Sequence, residues 1–553
     1  MESAMIDFAG VTFQYPSQSL PALRDVSLQI RAGSFLLVIG ASGTGKSTLL
    51  RCLNGLVPHF YGGTLRGRIR VGDRDPVALG PRGMSDLVGF VFQDPESQFV
   101  TQVVEDELAF ALENHNIAPA QMRRRVEEAL DQLSIADLRT CRVDTLSGGQ
   151  QQLVAIASAL TLQPSILVLD EPTSQLDPQA AEEVLTILQR LNHDLGLTIV
   201  LSEHRLERVA QYADQICYLP ENGAPPFVGD PGSVLARAHL VPPLVELGRN
   251  LGWQPLPLTL KAARQFVPNL QARLKAQPSF VPPIMSAPEK ISARAQEPAI
   301  AVEHLWFGYD GREILKDVSV RVEVGETVAL MGRNGSGKTT LLKNLIGLLP
   351  PAHGKVKIAG MDARTTPLTE LARRVGFVPQ NPGRLLFNET LEKELRFTCR
   401  AHGLAETNIA PLLARLGLGE LASAYPRDLS TGERQRAALA AILIANPKVL
   451  LLDEPTRGLD YDSKEKLLAI LADLSRDGVA ILLATHDVEL VAKCASRILI
   501  LGDGEIVVDG PTRAVMNDSL VFASQVSKLL RDERYVTVAD VLAQLNATQD
   551  LDD

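Results

Sequence analysis

The sequence predicts an α/β fold made twice over, and three observations predict it. Short apolar runs of strand length alternate with longer amphipathic segments, the pattern of a parallel sheet flanked by helices. A glycine-rich loop ending in Gly-Lys-Ser/Thr stands between an apolar run and a helical segment at two places, GASGTGKST at 40–48 and GRNGSGKTT at 332–340. Further segments return in the same order: LVGFVFQDP as RVGFVPQNP, LSGGQQQ as LSTGERQ, and LVLDEPTSQLD as LLLDEPTRGLD. The spacing is 292 residues for Lys46 and Lys338, 287 for Gln93 and Gln380, 283 for Asp170 and Asp453, and 282 for His204 and His486. Such a smooth drift is what two copies of one domain with small loop differences produce. Much of it fits the longer VPHFYGGTLRG stretch of the first copy, set against LPPAHGK in the second.

Within each copy the elements follow in order. SFLLVIG and ETVALMG read as buried strands that feed the glycine-rich turns, and STLLRCLNGL and TTLLKNLIGL as the helices after them. SILVLD and KVLLLD are continuous apolar runs suited to central parallel strands, covered on both faces. The helical patterns PQAAEEVLTILQRL and DSKEKLLAILADL follow, then the strands LTIVLS and VAILLA. Length alone would divide 553 residues into three or four domains at roughly 150 each. The repeat replaces that estimate with a first domain over 1–249, a Pro-rich linker over 250–297, a second domain over 298–515 and a C-terminal tail over 516–553. The linker reads as semi-extended from WQPLPLTL and PSFVPPIMSAPEK, although LKAARQFV within it has a helical pattern and could pack on a domain. The tail carries helical patterns near SLVFASQVSKLLRDER and TVADVLAQL before a polar, acidic end.

Composition narrows the function. Lys+Arg 55 against Asp+Glu 65 gives a net charge of −10, which disfavours a polybasic binder of nucleic acid or of a membrane surface. No apolar run reaches the roughly 18 residues a membrane span needs. The opening MESAMIDFAG lacks the basic and apolar regions of a signal peptide. Cys52, Cys141, Cys217, Cys399 and Cys494 are scattered without a CxxC pair, which favours isolated thiols in a reducing compartment over a disulfide frame or metal site.

The chemistry lies in the repeated motifs. In a loop of the form G-x-x-x-x-G-K-[ST] the glycines let backbone N–H groups curl around phosphate oxygens, and the helix N-terminus adds positive potential. The expected phosphate cradles are Gly40, Ala41, Ser42, Gly43, Thr44, Gly45, Lys46, Ser47 and Thr48 in the first copy, and Gly332, Arg333, Asn334, Gly335, Ser336, Gly337, Lys338, Thr339 and Thr340 in the second. Lys46 and Lys338 reach the β- and γ-phosphates, while Ser47 and Thr339 offer hydroxyls to Mg²⁺. Asp170 and Asp453, at the carboxyl ends of apolar strands, are placed to hold the same ion, largely through water. Glu171 and Glu454 follow directly and are read as the groups that polarise the attacking water.

These residues and their order resemble the nucleotide-binding domains of ATP-binding-cassette (ABC) proteins, over most of the chain outside the linker and tail. The resemblance implies two tandem phosphate-loop domains, each a largely parallel sheet core with a helical subdomain, that bind ATP and Mg²⁺ and hydrolyse ATP. LSGGQ at 146–150 corresponds to the family's signature, SQLD and RGLD to its D-loop, and His204 and His486 to its switch histidine. Gln93 and Gln380 correspond to the Q-loop glutamine, a ligand of Mg²⁺ and water. Tyr15 and Tyr309 stand where the family stacks an aromatic on adenine. The resemblance further implies that the halves form an intramolecular pseudo-dimer, the first site completed by Ser430, Gly432 and Glu433 and the second by Ser147, Gly149 and Gln150. One departure is STGER in the second signature, with Thr431 and Glu433 in place of Gly148 and Gln150. That site is expected to turn over differently, yet both are expected to hydrolyse because neither lacks its lysine, glutamate or histidine.

Beyond the Q-loop, FQDPESQFVTQVVEDELAFALEN and PQNPGRLLFNETLEKELRF resemble the ATPase subunits of energy-coupling-factor (ECF) importers, in which an acidic helix follows. Glu105, Asp106, Glu107, Glu389, Glu392 and Glu394 supply that acidity and are expected to dock arginine-bearing helices of a membrane subunit, the alternative being a solvated helix face. The implied protein is a motor for uptake of a vitamin, vitamin precursor or metal ion, of the hydroxymethylpyrimidine/thiamine or cobalt type. It would act peripherally at the cytoplasmic face of the cell membrane, with an integral-membrane coupling subunit and a substrate-binding membrane subunit as partners and no nucleic acid. Two other readings stay open: a tandem ABC ATPase acting on ribosomes, and the fused ATPase of another ABC importer. The long, charged, helical linker typical of the first is lacking, and the degenerate second phosphate loop usual in a monosaccharide importer is intact here.

Overall fold

The computed structural model describes residues 5–16, 18–174, 176–221, 223–276 and 297–546. The chain divides into two compact units, Met1–Val245 with Gln254–Leu258 and Glu246–Trp253 with Thr259–Asp553. In the first unit the strands are β1 (Ile6–Gln14), β2 (Leu23–Ile30), β3 (Phe35–Ile39), β4 (Thr64–Val71), β5 (Val88–Val91), β6 (Ile166–Asp170), β7 (Thr198–Ser202), β8 (Gln215–Tyr218) and β9 (Phe227–Gly229). Its principal helices are α1 (Lys46–Leu53), α2 (Val104–Asn114), α3 (Gly148–Leu160) and α4 (Pro178–Leu195).

Two sheets result. One has the order β5-β6-β7-β3-β8-β9, parallel except for β9, and the other is the antiparallel set β2-β1-β4. Every residue of β3, β6 and β7 is buried, as continuous apolar runs demand when helices cover both faces. On β1, buried positions alternate with more exposed ones, as expected for a strand covered on one side.

Helix α4 shows how local chemistry sets these elements. Asp177 caps it by accepting from Ala180 N–H at 2.8 Å, Pro178 opens it, and Gly196 at φ 64° ends it. Ala181, Val184, Leu185, Leu188 and Leu191 fall on its buried face. Each of the larger four contributes about 1.5–3 kcal/mol of burial, so a Leu188→Ala change costs about 2–5 kcal/mol.

The second unit repeats the plan. Its strands are β10 (Ile300–Tyr309), β11 (Arg312–Val322), β12 (Thr327–Met331), β13 (His353–Ile358), β14 (Met361–Asp362), β15 (Val375–Val378), β16 (Val449–Asp453), β17 (Ala480–Ala484), β18 (Arg497–Gly502) and β19 (Glu505–Pro511). They form the sheets β15-β16-β17-β12-β18-β19 and β11-β10-β13-β14. Before them lie α5 (Leu260–Ala263) and α6 (Val267–Lys275). The principal helices among and after the strands are α7 (Lys338–Leu345), α8 (Leu391–His402), α9 (Thr431–Leu443), α10 (Tyr461–Arg476), α11 (Val488–Cys494), α12 (Thr512–Asp518), α13 (Gln525–Leu530) and α14 (Val538–Asn546).

The segment read from sequence as linker is thus helical over most of 260–275 and packs within the second unit, where α5 and α6 lie against α13 and α14. Ala263, Leu270 and Leu274 are buried there, and Trp253 stacks on Phe266 at 4.6 Å. These apolar positions outweigh the flanking prolines. The stretch holding PSFVPPIMSAPEK and the acidic end of the tail lie outside the described residues.

Candidate active site

The glycine-rich loops leave the carboxyl ends of β3 and β12 and run into α1 and α7. At Gly45 (φ 97°) a Cβ would lie 2.3 Å from the Ala22 carbonyl oxygen, and at Gly332 (φ 150°) one would lie 2.3 Å from that of Leu501, so neither position accepts a side chain. Lys46 is buried and its Nζ donates to the Gly40 and Ala41 carbonyls, both at 2.9 Å. Lys338 does the same to Gly332 at 2.8 Å and Arg333 at 3.0 Å. The ammonium groups are therefore held over the loops by the loops' own backbone.

Parallel pairing brings the acidic residues to the same edge. Asp170 stands opposite Ser202, and Asp453 opposite Ala484. Ser47 hydrogen-bonds to Asp170, and Thr339 Oγ1 donates to Asp453 Oδ2 at 2.8 Å. Burial pushes both carboxyl groups up from the usual range; the neighbouring glutamates add to this, and the hydroxyl donors oppose it. A hydroxyl and a carboxylate in contact are hard oxygen donors of the kind that suits Mg²⁺. Gln93 Nε2 donates to Glu171 Oε2 at 2.7 Å, whereas Gln380 is exposed and, among the described residues, no hydrogen bond ties it to Asp453 or Thr339.

Glu171 and Glu454 both sit at φ 49°, a left-handed conformation that costs a non-glycine residue about 1 kcal/mol. It turns each carboxylate away from its strand toward the histidine. His204 Nε2 meets Glu171 Oε1 at 2.7 Å, and His486 Nδ1 meets Glu454 Oε2 at 2.8 Å, all four side chains being largely buried. The structure thus assembles the same lysine, hydroxyl, aspartate, glutamate and histidine set twice.

The aromatic positions differ between the units. Tyr15 hydrogen-bonds through its hydroxyl to Thr48 at 3.0 Å and packs edge-on against Phe13 and Tyr61. Tyr309 is 44% exposed and touches Phe307 edge-on. Tyr61, with the Arg51 guanidinium 4.6 Å over its ring, was not singled out from sequence; the extra length of VPHFYGGTLRG was the available signal.

The signatures cap helices. Ser147 Oγ accepts from Gln150 N–H, and Gln150 Oε1 accepts from Ser147 N–H at 3.0 Å, a reciprocal capping box. Ser430 and Glu433 repeat it, and here the Ser430 hydroxyl also donates to Glu433 Oε2 at 2.7 Å. At Gly149 an added Cβ would lie 2.9 Å from Ala180 Cβ, and at Gly432 one would lie 2.4 Å from Ser463 Oγ, which fixes the small residue.

The acidic helices after Gln93 and Gln380 are only partly surface features. Glu105 and Asp106 are exposed on α2, Glu389 is exposed just before α8, and Glu392 is half-buried on α8. Glu107 and Glu394 are buried instead. Glu107 Oε2 accepts from the backbone N–H groups of Val100 (3.0 Å) and Thr101 (2.7 Å) and from the Thr101 hydroxyl. Glu394 Oε2 accepts from Phe387 and Asn388 N–H, both at 2.8 Å. These two carboxylates clamp the preceding loop and leave the docking set, because unpaired backbone donors entering a helix need an acceptor.

The family described as ABC transporter matches residues 23–174 and again 315–457, together more than half of the chain. A Streptomyces avermitilis protein provisionally described as an ABC transporter ATP-binding protein is 48% identical over 97% of this chain and 99% of its own length. A protein of the same description from Methanosarcina acetivorans is 35% identical over 93% of this chain and 86% of its own. Among solved structures, cbiO1 from Clostridium perfringens, part of the ABC transporter complex cbiONQ, is 29% identical over 40% of this chain and 92% of its own, with a TM-score of 0.38. With two matches in register and two complete phosphate-loop sites, the chain belongs to the ABC transporter family as a tandem ATPase subunit.

Proposed function

We propose that this ATPase is the motor of an ECF-type importer, driving uptake of a vitamin, vitamin precursor or metal ion through separate membrane subunits at the cytoplasmic face of the cell membrane. The observation that carries the reading is the surface beside each Q-loop. Glu105 and Asp106 follow the exposed Val100 (63%) in the chain, and Glu389 and Glu392 follow the exposed Phe387 (69%), with Glu389 pairing to Lys393 and Glu392 to Arg396. Carboxylates close in the chain to an exposed apolar side chain suit a helix carrying arginine beside small apolar residues. No helix among the described residues is long and apolar enough to cross a membrane, so the proposal assigns the translocation path to partner subunits.

In this reading Lys46 and Lys338 hold the β- and γ-phosphates of ATP, with Tyr15 and Tyr309 beside the adenine. Ser47, Asp170 and Gln93, and Thr339, Asp453 and Gln380, are the groups that would hold Mg²⁺, which neutralises charge on the transferring phosphoryl group. Glu171 and Glu454 accept a proton from the attacking water, and His204 and His486 orient those carboxylates. As the family resemblance implies, Ser430, Gly432 and Glu433 serve the Lys46 site and Ser147, Gly149 and Gln150 the Lys338 site.

The test is charge reversal at these carboxylates, Glu105→Lys and Asp106→Lys together with Glu389→Lys and Glu392→Lys. The variant should keep its basal ATPase activity and lose co-purification with an integral-membrane partner and ATP-dependent uptake. Intact assembly and uptake in that variant, or sedimentation of the native protein with ribosomes, would reject the proposal.

A further inference from the structure

The two switch histidines lie on segments that differ in the residue just before them. The first reads Ser202-Glu203-His204 and the second Ala484-Thr485-His486. Glu203 is 1% exposed, and all its described hydrogen bonds run to two short segments. Its Oε1 accepts from Thr173 N–H at 2.8 Å and from the Thr173 hydroxyl at 2.5 Å, while its Oε2 accepts from His204 N–H at 3.0 Å. Thr173 is two residues beyond Glu171, and His204 is the partner of Glu171 at 2.7 Å. One carboxylate therefore ties together the backbones that carry both members of that pair. Ser202 adds a second tie, donating to Asp170 Oδ1 at 2.7 Å and accepting from Glu171 N–H at 3.1 Å.

In the second unit Thr485 and Ala484 stand at the positions of Glu203 and Ser202. Thr485 Oγ1 accepts from Asp487 N–H at 3.1 Å, a bond within its own turn. The hydroxyl of Thr456, the counterpart of Thr173, is buried without a hydrogen-bond partner. Ala484 has no hydroxyl to offer. Burying a carboxylate is costly unless several donors meet it. Three donors converge on Glu203, from the segments of both members of the pair, whereas the buried carboxylate after the second histidine, Asp487, pairs with Lys464 at 2.8 Å and accepts from Leu490 N–H at 3.1 Å.

We propose that Glu203 is a positioning residue of the first ATP site, bracing the Glu171–His204 pair through Thr173 and the His204 backbone, a brace for which the second unit has Thr485 at the matching position. The inference rests on Glu171 and His204 being the hydrolytic pair. Bracing of this kind fixes a carboxylate against the water it must polarise, and small displacements there act on the chemical step more than on nucleotide binding.

The experiment is steady-state ATP hydrolysis by the full chain carrying Glu454→Gln, so that the first site supplies the turnover, with kcat, KM and the melting temperature of each further variant compared with that parent. Glu203→Gln, which keeps the volume but swaps one acceptor for a donor, should lower kcat about 10-fold with KM within about twofold of the parent value. Glu203→Thr, which copies the second unit, should show the same split, and it guards against a Glu203→Gln variant that does not fold. Thr173→Val should lower kcat about threefold, and adding it to Glu203→Gln should bring no further loss, because both remove one connection. Thr456→Val should leave kcat unchanged. Parental kcat in both Glu203 variants, multiplying losses in the double variant, or a loss in Thr456→Val equal to that in Thr173→Val would overturn the bracing. Glu171→Gln separates the two levels of the reading. Full turnover in that variant removes the hydrolytic assignment itself, whereas loss there with silent Glu203 variants removes the bracing alone.

Discussion

The two units surround their glutamate–histidine pairs with different buried polar groups: hydrogen-bonding Glu203, Ser202 and Gln93 in the first, and an ion pair between Lys464 and Asp487, the residue after His486, at 2.8 Å in the second. In the first, Glu203, Ser202 and Gln93 all make hydrogen bonds that converge on Glu171, His204 and Asp170. In the second, the corresponding residues are Thr485, Ala484 and an exposed Gln380, while a buried ion pair joins Arg513 to Asp540 at 2.8 Å among the C-terminal helices. Asp540 also accepts from Val536 and Thr537 N–H, and α5 and α6 pack on α13 and α14. Duplication supplied two copies of the chemistry. Divergence has given each copy its own buried polar contacts around the pair. The lesson is that matching motifs do not imply matching surroundings, and the surroundings are what a variant will feel.

The largest expected effect tests the part in which the units agree. Lys46→Ala or Lys338→Ala removes a buried ammonium that the loop backbone holds in the same way in both units. Each should weaken ATP binding at its own unit by about 2–5 kcal/mol. Equilibrium dialysis with a non-hydrolysable analogue should show half the native occupancy in either single variant and none in the double; a single variant that empties both units would mean the loops do not act separately.

A smaller effect tests the part in which they differ. Asp540→Ala removes the carboxylate that Arg513 meets at 2.8 Å and the acceptor of two backbone N–H groups, a loss of about 3–5 kcal/mol to the second unit. Calorimetry should show one transition moved down and the other, belonging to the first unit, in place. A uniform shift of the whole profile would show that the tail supports both.

The smallest effect is chemical. Burial pushes the thiols of Cys52, Cys217 and Cys494 up to about 12, and Cys399 is also buried, whereas Cys141 is half-exposed. Thiolate is the reactive form, so alkylation of the native protein near pH 8 should label the first unit at Cys141 and leave the second unlabelled. Mass spectrometry after denaturation should find all five thiols reactive. Native labelling of Cys399 or Cys494 would show the second unit opening more readily than the first.

How much was legible beforehand follows the physics of each residue. Apolar runs and glycine–lysine loops encode their structure locally, so both largely parallel sheets and both phosphate loops could be read directly, whereas the antiparallel sheets beside them were not. The glutamate–histidine pairs were readable because the motif repeats, although spacing could not reveal that each glutamate takes a left-handed backbone. Glu107 and Glu394 were misread as surface charge. A carboxylate at a helix start is ambiguous in sequence, and only the direction of the entering loop decides whether it meets water or backbone donors. Glu203 was invisible for a related reason, because its partners, Thr173 and the His204 amide, meet it only when β6 and β7 pair. The helices at 260–275 were hidden by neighbouring prolines, which signal extension while leaving the apolar spacing at Ala263, Leu270 and Leu274 intact.

The central claim is that ATP is cleaved by two glutamate–histidine pairs, one in each unit. The most direct measurement is ATP hydrolysis and ATP binding by the variant carrying Glu171→Gln and Glu454→Gln together. Turnover should fall by about 10²–10⁴-fold while both units still bind ATP. Native turnover in that variant would contradict the account.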